Sequence, residues 1–195
     1  MRVFVAIDLD REVRDRLEKL ESELRPLLRR ARWVPAENLH LTLRFLGEAT
    51  KDAADAVTAG LREALAGTPG FVVSVCRAGV FPDRRRPRIL WVGLSGPGTE
   101  LEDLQSRVER VVRGAGFPPE KRRFEPHLTL ARFREPERQV DSVLRDVSER
   151  DFGGTSVREV VVYESVLSRG PACYRPLGRI RLGAVDGGTS SKGLV

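Results

Sequence analysis

Short alternating runs and longer runs with apolar residues three and four apart take turns along this chain. Arg2 to Leu9 alternates and is β-branched, which predicts a strand. Asp10 can cap a helix whose apolar positions Val13, Leu17, Leu20, Leu24 and Leu27 step by three and four, with Pro26 interrupting its last turn. Trp33-Val34-Pro35 and Glu37-Asn38 lead into a strand from His40 through Leu46 that stops at Gly47. Thr50 opens a second helix with Val57, Leu61 and Leu65 inward, broken by Gly67 to Gly70. Phe71 to Val80 and Arg88 to Leu94 read as strands around the basic turn Phe81 to Pro87. Thr99 and Glu102 match a capping box ahead of a helix on Leu101, Leu104, Val108 and Val111. A strand after Phe124-Glu125-Pro126, a short helix on Val140, Val143, Leu144 and Val147, and strands over Val157 to Val166 and Tyr174 to Leu182 complete the pattern.

The pattern repeats itself. His40-Leu41-Thr42-Leu43 recurs unchanged as His127-Leu128-Thr129-Leu130, at an offset of 127 − 40 = 87. The same offset lays Val3-Phe4-Val5-Ala6-Ile7 on Leu90-Trp91-Val92-Gly93-Leu94, and the helix after Asp10 on the one near Thr99. A period this long signals a duplicated strand–helix–strand–helix–strand unit, not a solenoid. Two related halves, about 1–87 and 88–183, then meet about a pseudo-twofold axis with His40 opposite His127 in a central cleft. The segment 184–195 is expected to be a disordered tail.

At 195 residues the chain can bury a proper core, and 41% hydrophobic with 32% charged residues describes a soluble globular domain. A net charge of +6 and a pI near 10.0 favour an anionic partner, nucleic acid first. Lysine contributes only Lys19, Lys51, Lys121 and Lys192, so an arginine-rich, GC-rich genome explains the same balance without a partner. Two cysteines, Cys76 and Cys173, are too few for a disulfide framework or a zinc site. The start is too short for a signal peptide and no apolar run reaches a membrane span, so a cytoplasmic, reduced protein is expected.

The chain has two histidines, and each opens a copy of the repeated tetrapeptide. Side chains alternate along a strand, so His40 and Thr42, like His127 and Thr129, share one face while the leucines anchor the other. Histidine titrates near neutrality, so one ring can accept a proton while its twin donates one. That suits attack on a phosphodiester, with the threonine hydroxyls bonding phosphoryl oxygens and arginine neutralising charge. No carboxylate or cysteine cluster accompanies the histidines, so neither a metal nor a cofactor is expected. Arg44 falls on the face of His40 and Thr42 if alternation holds, within reach of a substrate phosphate. Arg132 is out of phase with His127 and Thr129, and needs a twist or bulge to join them. Arg84, Arg85, Arg86 and Arg88 read as a solvated loop, Trp33 and Trp91 as core. Tyr163 and Tyr174 have the chemistry to stack a base, and fit core or rim positions equally well.

The paired motifs resemble those of the two-histidine phosphoesterase superfamily, and within it the RNA 2′,3′-cyclic phosphodiesterases also called 2′-5′ RNA ligases. The likeness runs to about Leu182. It includes Val5-Ala6-Ile7-Asp8, Glu37 to Gly47, Pro126-His127-Leu128-Thr129-Leu130-Ala131-Arg132 and Tyr163-Glu164-Ser165. The resemblance implies one bilobal α+β domain over 1–183, with two antiparallel sheets facing a central cleft and helices outside. It implies metal-independent opening of an RNA 2′,3′-cyclic phosphate to a 2′-phosphate. His40 and His127 then match the catalytic pair, Thr42 and Thr129 bind phosphate, and Arg132 assists. His127 is read as the base that activates water and His40 as the acid. The expected partner is an RNA end, tRNA fragments among the candidates, met by a monomer. Joining or cleaving 2′-5′ linkages is the closest rival; a non-catalytic RNA-end binder is the rival of another class.

Overall fold

Arg2–Asp8 forms β1, and its alternation sends Val3, Val5 and Ile7 to one side and Phe4, Ala6 and Asp8 to the other. The computed structural model that shows this describes residues 1–96, 98–135, 137, 139–166 and 172–185. After β1 come α1 (Arg11–Leu24), β2 (Ala31–Trp33), a single 3-10 turn (Ala36–Asn38), β3 (His40–Glu48) and α2 (Lys51–Ala64). Then follow β4 (Phe71–Phe81), β5 (Ile89–Ser95), α3 (Glu100–Gly114), β6 (His127–Phe133) and α4 (Val140–Val147). The described chain closes with β7 (Asp151–Val157), β8 (Glu159–Val166) and β9 (Cys173–Arg181).

The strands make two antiparallel sheets, ordered β3-β1-β8-β9 and β2-β6-β5-β4-β7. The 87-residue offset matches β1 with β5, β3 with β6 and β4 with β8. β4 leaves its own half to pair with β5, and β8 leaves the second half to pair with β1. Each sheet is thus built from both halves, and the protein is an α+β, pseudo-twofold duplication with a cleft between its sheets. The helices cover the opposite faces, where Leu17, Leu61, Leu104 and Leu144 join the main core. Phe4, Ala6, Val161 and Tyr163 form a second, smaller cluster with Tyr174 on the cleft side of the first sheet. Among the described residues no helix is long and apolar enough to cross a membrane.

Several local expectations change with the structure. Thr50 does cap α2, its hydroxyl accepting from the Ala53 amide at 3.2 Å, but Thr99 makes no cap and instead donates to the Asp103 carboxylate. Asp10 precedes α1, yet its carboxylate accepts from the Ser156 amide at 2.7 Å and ties the helix start to β7. Leu27 is exposed and Leu28 is buried instead, because α1 ends at Leu24 ahead of Pro26. In α3 the buried position is Val112, with Val111 at its edge. β2 and β7 were not expected. β2 has three residues, too few to show a period, and β7 carries Gly153 at φ +89, which breaks its alternation into buried Phe152, Thr155 and Val157. Of the expected tail, residues 186–195 lie outside the described residues, while Val185 bridges Gly70.

Candidate active site

Each histidine is locked by its own chain. The 3-10 turn ends at Asn38, and the His40 Nδ1 lies 2.7 Å from the Asn38 carbonyl. His127 repeats this with the Glu125 carbonyl, also at 2.7 Å and also two residues upstream. A carbonyl can only accept, so Nδ1 carries the proton in both rings and Nε2 is left for other work. The equivalence is structural as well as sequential: 38 and 125 stand at the same offset as the histidines. The Asn38 side chain also donates to the Ala172 carbonyl at 2.7 Å, which ties the turn to the start of β9.

The surroundings of the two rings differ. His40 stacks on Phe4 with centroids 4.9 Å apart and meets the edge of Tyr174 at 5.1 Å. Asp8 lies directly across the ladder from His40, so the carboxylate and imidazole share a face. The Tyr163 hydroxyl donates to both Asp8 carboxylate oxygens, at 2.9 and 2.8 Å. Asp8, Glu37, Asn38, Leu39, His40, Tyr163 and Tyr174 line a small pocket of about 70 Å³. Burial pushes the His40 pKa below its ordinary value; the Asn38 hydrogen bond and the Asp8 charge oppose this, and the Arg132 cation adds to it. Burial likewise raises the Tyr163 pKa, with the Asp8 carboxylate adding to the effect, so this hydroxyl stays a donor. His127 instead meets the edge of Phe81 at 5.1 Å. Phe81 packs on Trp91 at 5.2 Å, and Trp91 lies over Gly79, where an added Cβ would come within 2.3 Å of the ring. Trp91 therefore belongs to the cleft floor and not, as its sequence suggests, to the core. Trp33 does pack on the core, in part.

The two arginines trade the places expected of them, and one irregularity explains both. In the pairing of β1 with β3, Val5 faces Arg44 and Ala6 faces Thr42, so Leu43 is an extra residue. In the pairing of β5 with β6, Leu90 faces Ala131 and Trp91 faces Thr129, so Leu130 is the extra residue at the equivalent place. A bulge of one residue reverses the faces beyond it. Leu130 and Ala131 are consecutive buried residues, and Arg132 emerges on the face of His127 and Thr129. Its charge is felt at both His40 and Tyr174 across the cleft. In β3 the same bulge turns Arg44 inward beside buried Leu43 and puts Phe45 on the cleft face, exposed.

Arg44 is thus corrected from a phosphate contact to a structural residue. Its side chain is 7% exposed; Nε donates to Glu109 on α3 at 2.5 Å, Nη1 lies 3.6 Å from Glu120, and Nη2 donates to the Pro118 carbonyl. The basic turn is exposed, as expected, with Asp83 accepting from the Arg85 and Arg86 amides at 2.8 and 3.0 Å. Tyr163 is buried against Phe4, whereas Tyr174 stays partly open beside His40. Asp8, Phe4 and Phe81 escaped the reading of sites from sequence. Asp8 carried a signal, since alternation in β1 puts it with Phe4 and Ala6 on one face.

The charge balance at His40 predicts opposite responses to two substitutions. Arg132→Gln removes the cation and raises the His40 pKa; Asp8→Asn removes the anion and lowers it. Imidazole NMR titration of the free protein reads both shifts; shifts in the same direction would contradict this balance, and no shift in either variant would place neither charge near the ring.

Two histidines on equivalent strands, each followed by a threonine, with one arginine turned toward them, define a phosphoesterase of the two-histidine kind. Comparison with known proteins agrees: the LigT-like phosphoesterase family model matches residues 7–91 and again 92–174. An RNA 2′,3′-cyclic phosphodiesterase of Aeropyrum pernix is 34% identical over 150 residues, 76% of this chain and 84% of that protein. The crystal structure of Escherichia coli LigT complexed with 3′-AMP is similar at a TM-score of 0.76 and 31% identity, covering 93% of this chain and 97% of the other. A Thermus thermophilus structure reaches a TM-score of 0.82 at 27% identity, covering 94% and 99%. This chain belongs to the LigT-like phosphoesterase family.

Proposed function

We propose that this protein is an RNA 2′,3′-cyclic phosphodiesterase that opens a terminal cyclic phosphate to a 2′-phosphate using His40 and His127. The observation that supports it most is the matched tethering of both Nδ1 atoms, which leaves two equivalent Nε2 positions for proton transfer. His127 Nε2 takes a proton from water as the water oxygen bonds to phosphorus. The P–O3′ bond breaks, and His40 Nε2 gives its proton to the departing 3′ oxygen. Thr42 and Thr129 donate hydroxyl hydrogens to the non-bridging oxygens, and Arg132 balances the charge that grows on them. Burial disfavours the protonated form of His40 in the empty site, and the phosphate anion favours that form on entry and so loads the acid. The alkaline limb of kcat/KM, which reports the free enzyme, therefore lies at lower pH than that of kcat.

Protein groups supply acid, base and cation in this scheme, so activity is expected to survive excess EDTA. Incubating the protein with an RNA ending in a 2′,3′-cyclic phosphate, with EDTA present, and identifying the end by ³¹P NMR tests the proposal. A 2′-phosphate is expected. A 3′-phosphate, or complete loss restored by one divalent ion, contradicts it. Action as a monomer in the cytoplasm on RNA ends such as tRNA fragments belongs to the same proposal. Two free cysteines, Cys76 and Cys173, suit a reducing compartment.

A further inference from the structure

β2 contributes one exposed side chain, and it stands in an unfavourable place. Arg32 pairs directly with Arg132 across the β2·β6 ladder, so the two guanidinium stems leave the same face of the sheet. The neighbours Ala31 and Trp33 pack toward the core, which fixes Arg32 on the side away from it. Like charges placed directly opposite one another destabilise a sheet. Nearby basic residues are neutralised or engaged: Arg30 pairs with Glu135 at 2.9 Å, and Arg88 donates to the Arg134 carbonyl. Among the described residues, neither Arg32 nor Arg132 has a carboxylate within 4.0 Å or a side-chain hydrogen bond. An edge strand from the first half thus sets an unneutralised cation beside the one that faces His40.

We propose that Arg32 and Arg132 form a two-guanidinium clamp on the RNA end, Arg132 on the cyclic phosphate and Arg32 on the phosphodiester joining the terminal nucleotide to the one before it. The inference rests on the phosphodiesterase reading for the identity of the first phosphate. Arg132 lies on the histidine strand, and Arg32 lies one strand further out on the edge of the sheet. Two long side chains rooted side by side reach two adjacent phosphates of one strand. The repulsion between them in the empty protein is relieved when the anions arrive. The clamp makes the site prefer an RNA end to a mononucleotide with the same cyclic phosphate.

The test compares wild type, Arg32→Gln and Arg32→Lys on a dinucleotide and a mononucleotide, each ending in a 2′,3′-cyclic phosphate. Arg32→Gln is expected to raise KM for the dinucleotide about 10-fold with little change in kcat, and to leave the mononucleotide unchanged. Arg32→Lys keeps the charge and recovers part of the loss. Binding of a labelled trinucleotide that ends in a 2′-phosphate is followed alongside, because it needs no turnover. There Arg32→Gln should weaken binding and flatten the slope of log K against log salt by about 0.7, one single-strand phosphate. The ligand-free melting temperature should rise, since the repulsion is gone. Equal losses on both cyclic substrates would put Arg32 on the scissile phosphate and overturn the clamp. Unchanged trinucleotide binding with a lowered melting temperature would make Arg32 a structural residue and overturn it as well. Absence of turnover in the wild type, with the salt slope still dependent on Arg32, would sink the phosphodiesterase reading and leave the second-phosphate contact standing.

Discussion

His40→Ala and His127→Ala are each expected to lower turnover of a cyclic-phosphate RNA by about 10²–10⁴-fold while RNA binding survives. Each ring is held through Nδ1 by a main-chain carbonyl two residues upstream, so truncation removes a proton carrier and leaves the strand ladder in place. On the proposed reading, Thr42, Thr129 and Arg132 remain in place to hold the phosphate. Acid and base act as a unit, so the double mutant should be little worse than either single one. His40 packs on Phe4 and Tyr174, so its loss also opens a small space; His40→Asn, which fills more of it, separates that effect from the chemistry. Wild-type turnover by both single mutants would remove the cleft from consideration and favour an RNA-end binder.

Glu109→Ala is expected to destabilise the protein by roughly 3 kcal/mol and to leave the turnover of the folded fraction near wild type. Removing one member of a buried ion pair costs about 3–5 kcal/mol, because the survivor stays charged and out of water. Arg44 is 7% exposed and Glu109 19%, so the pair is buried enough for that range. Glu120, at 3.6 Å, remains as a second partner and holds the cost to the low end. For a chain of this size that corresponds to a Tm lowered by roughly 6–12 °C. Replacing Arg44 and Glu109 together by Met and Leu should recover most of the loss, since the stranded charge goes with its partner. If Arg44 held substrate instead, Arg44→Met would abolish binding and Glu109→Ala would be thermally silent.

The duplication, the main strands and helices, and both histidine–threonine pairs were legible because each rests on a local period or on an identity at a fixed offset. The bulges were not. Leu43 and Leu130 look like ordinary core leucines, and only the pairing with β1 and β5 shows that each is one residue too many. Simple alternation placed Arg44 in the cleft and Arg132 out of it, and the bulge exchanges them. β2 is invisible to periodicity because it is three residues long and borrows its partner from the other half. Asp8 was passed over and Trp91 was placed in the core for a related reason: alternation tells which residues share a face, but only the sheet order tells which face is the cleft. The exchange of β4 and β8 between halves sets that order, and no local signal in either strand announces it.

The pH–rate profile of the wild type and the two single histidine mutants tests most directly whether the duplicated motif is an acid–base pair. One ring must be neutral and the other protonated at the moment of reaction, so the wild-type profile of kcat/KM should be bell-shaped. His127→Ala should lose the acidic limb, which reports the base, and His40→Ala the alkaline limb, which reports the acid. A wild-type profile with one limb, or two mutants that both keep the full bell, would contradict the account.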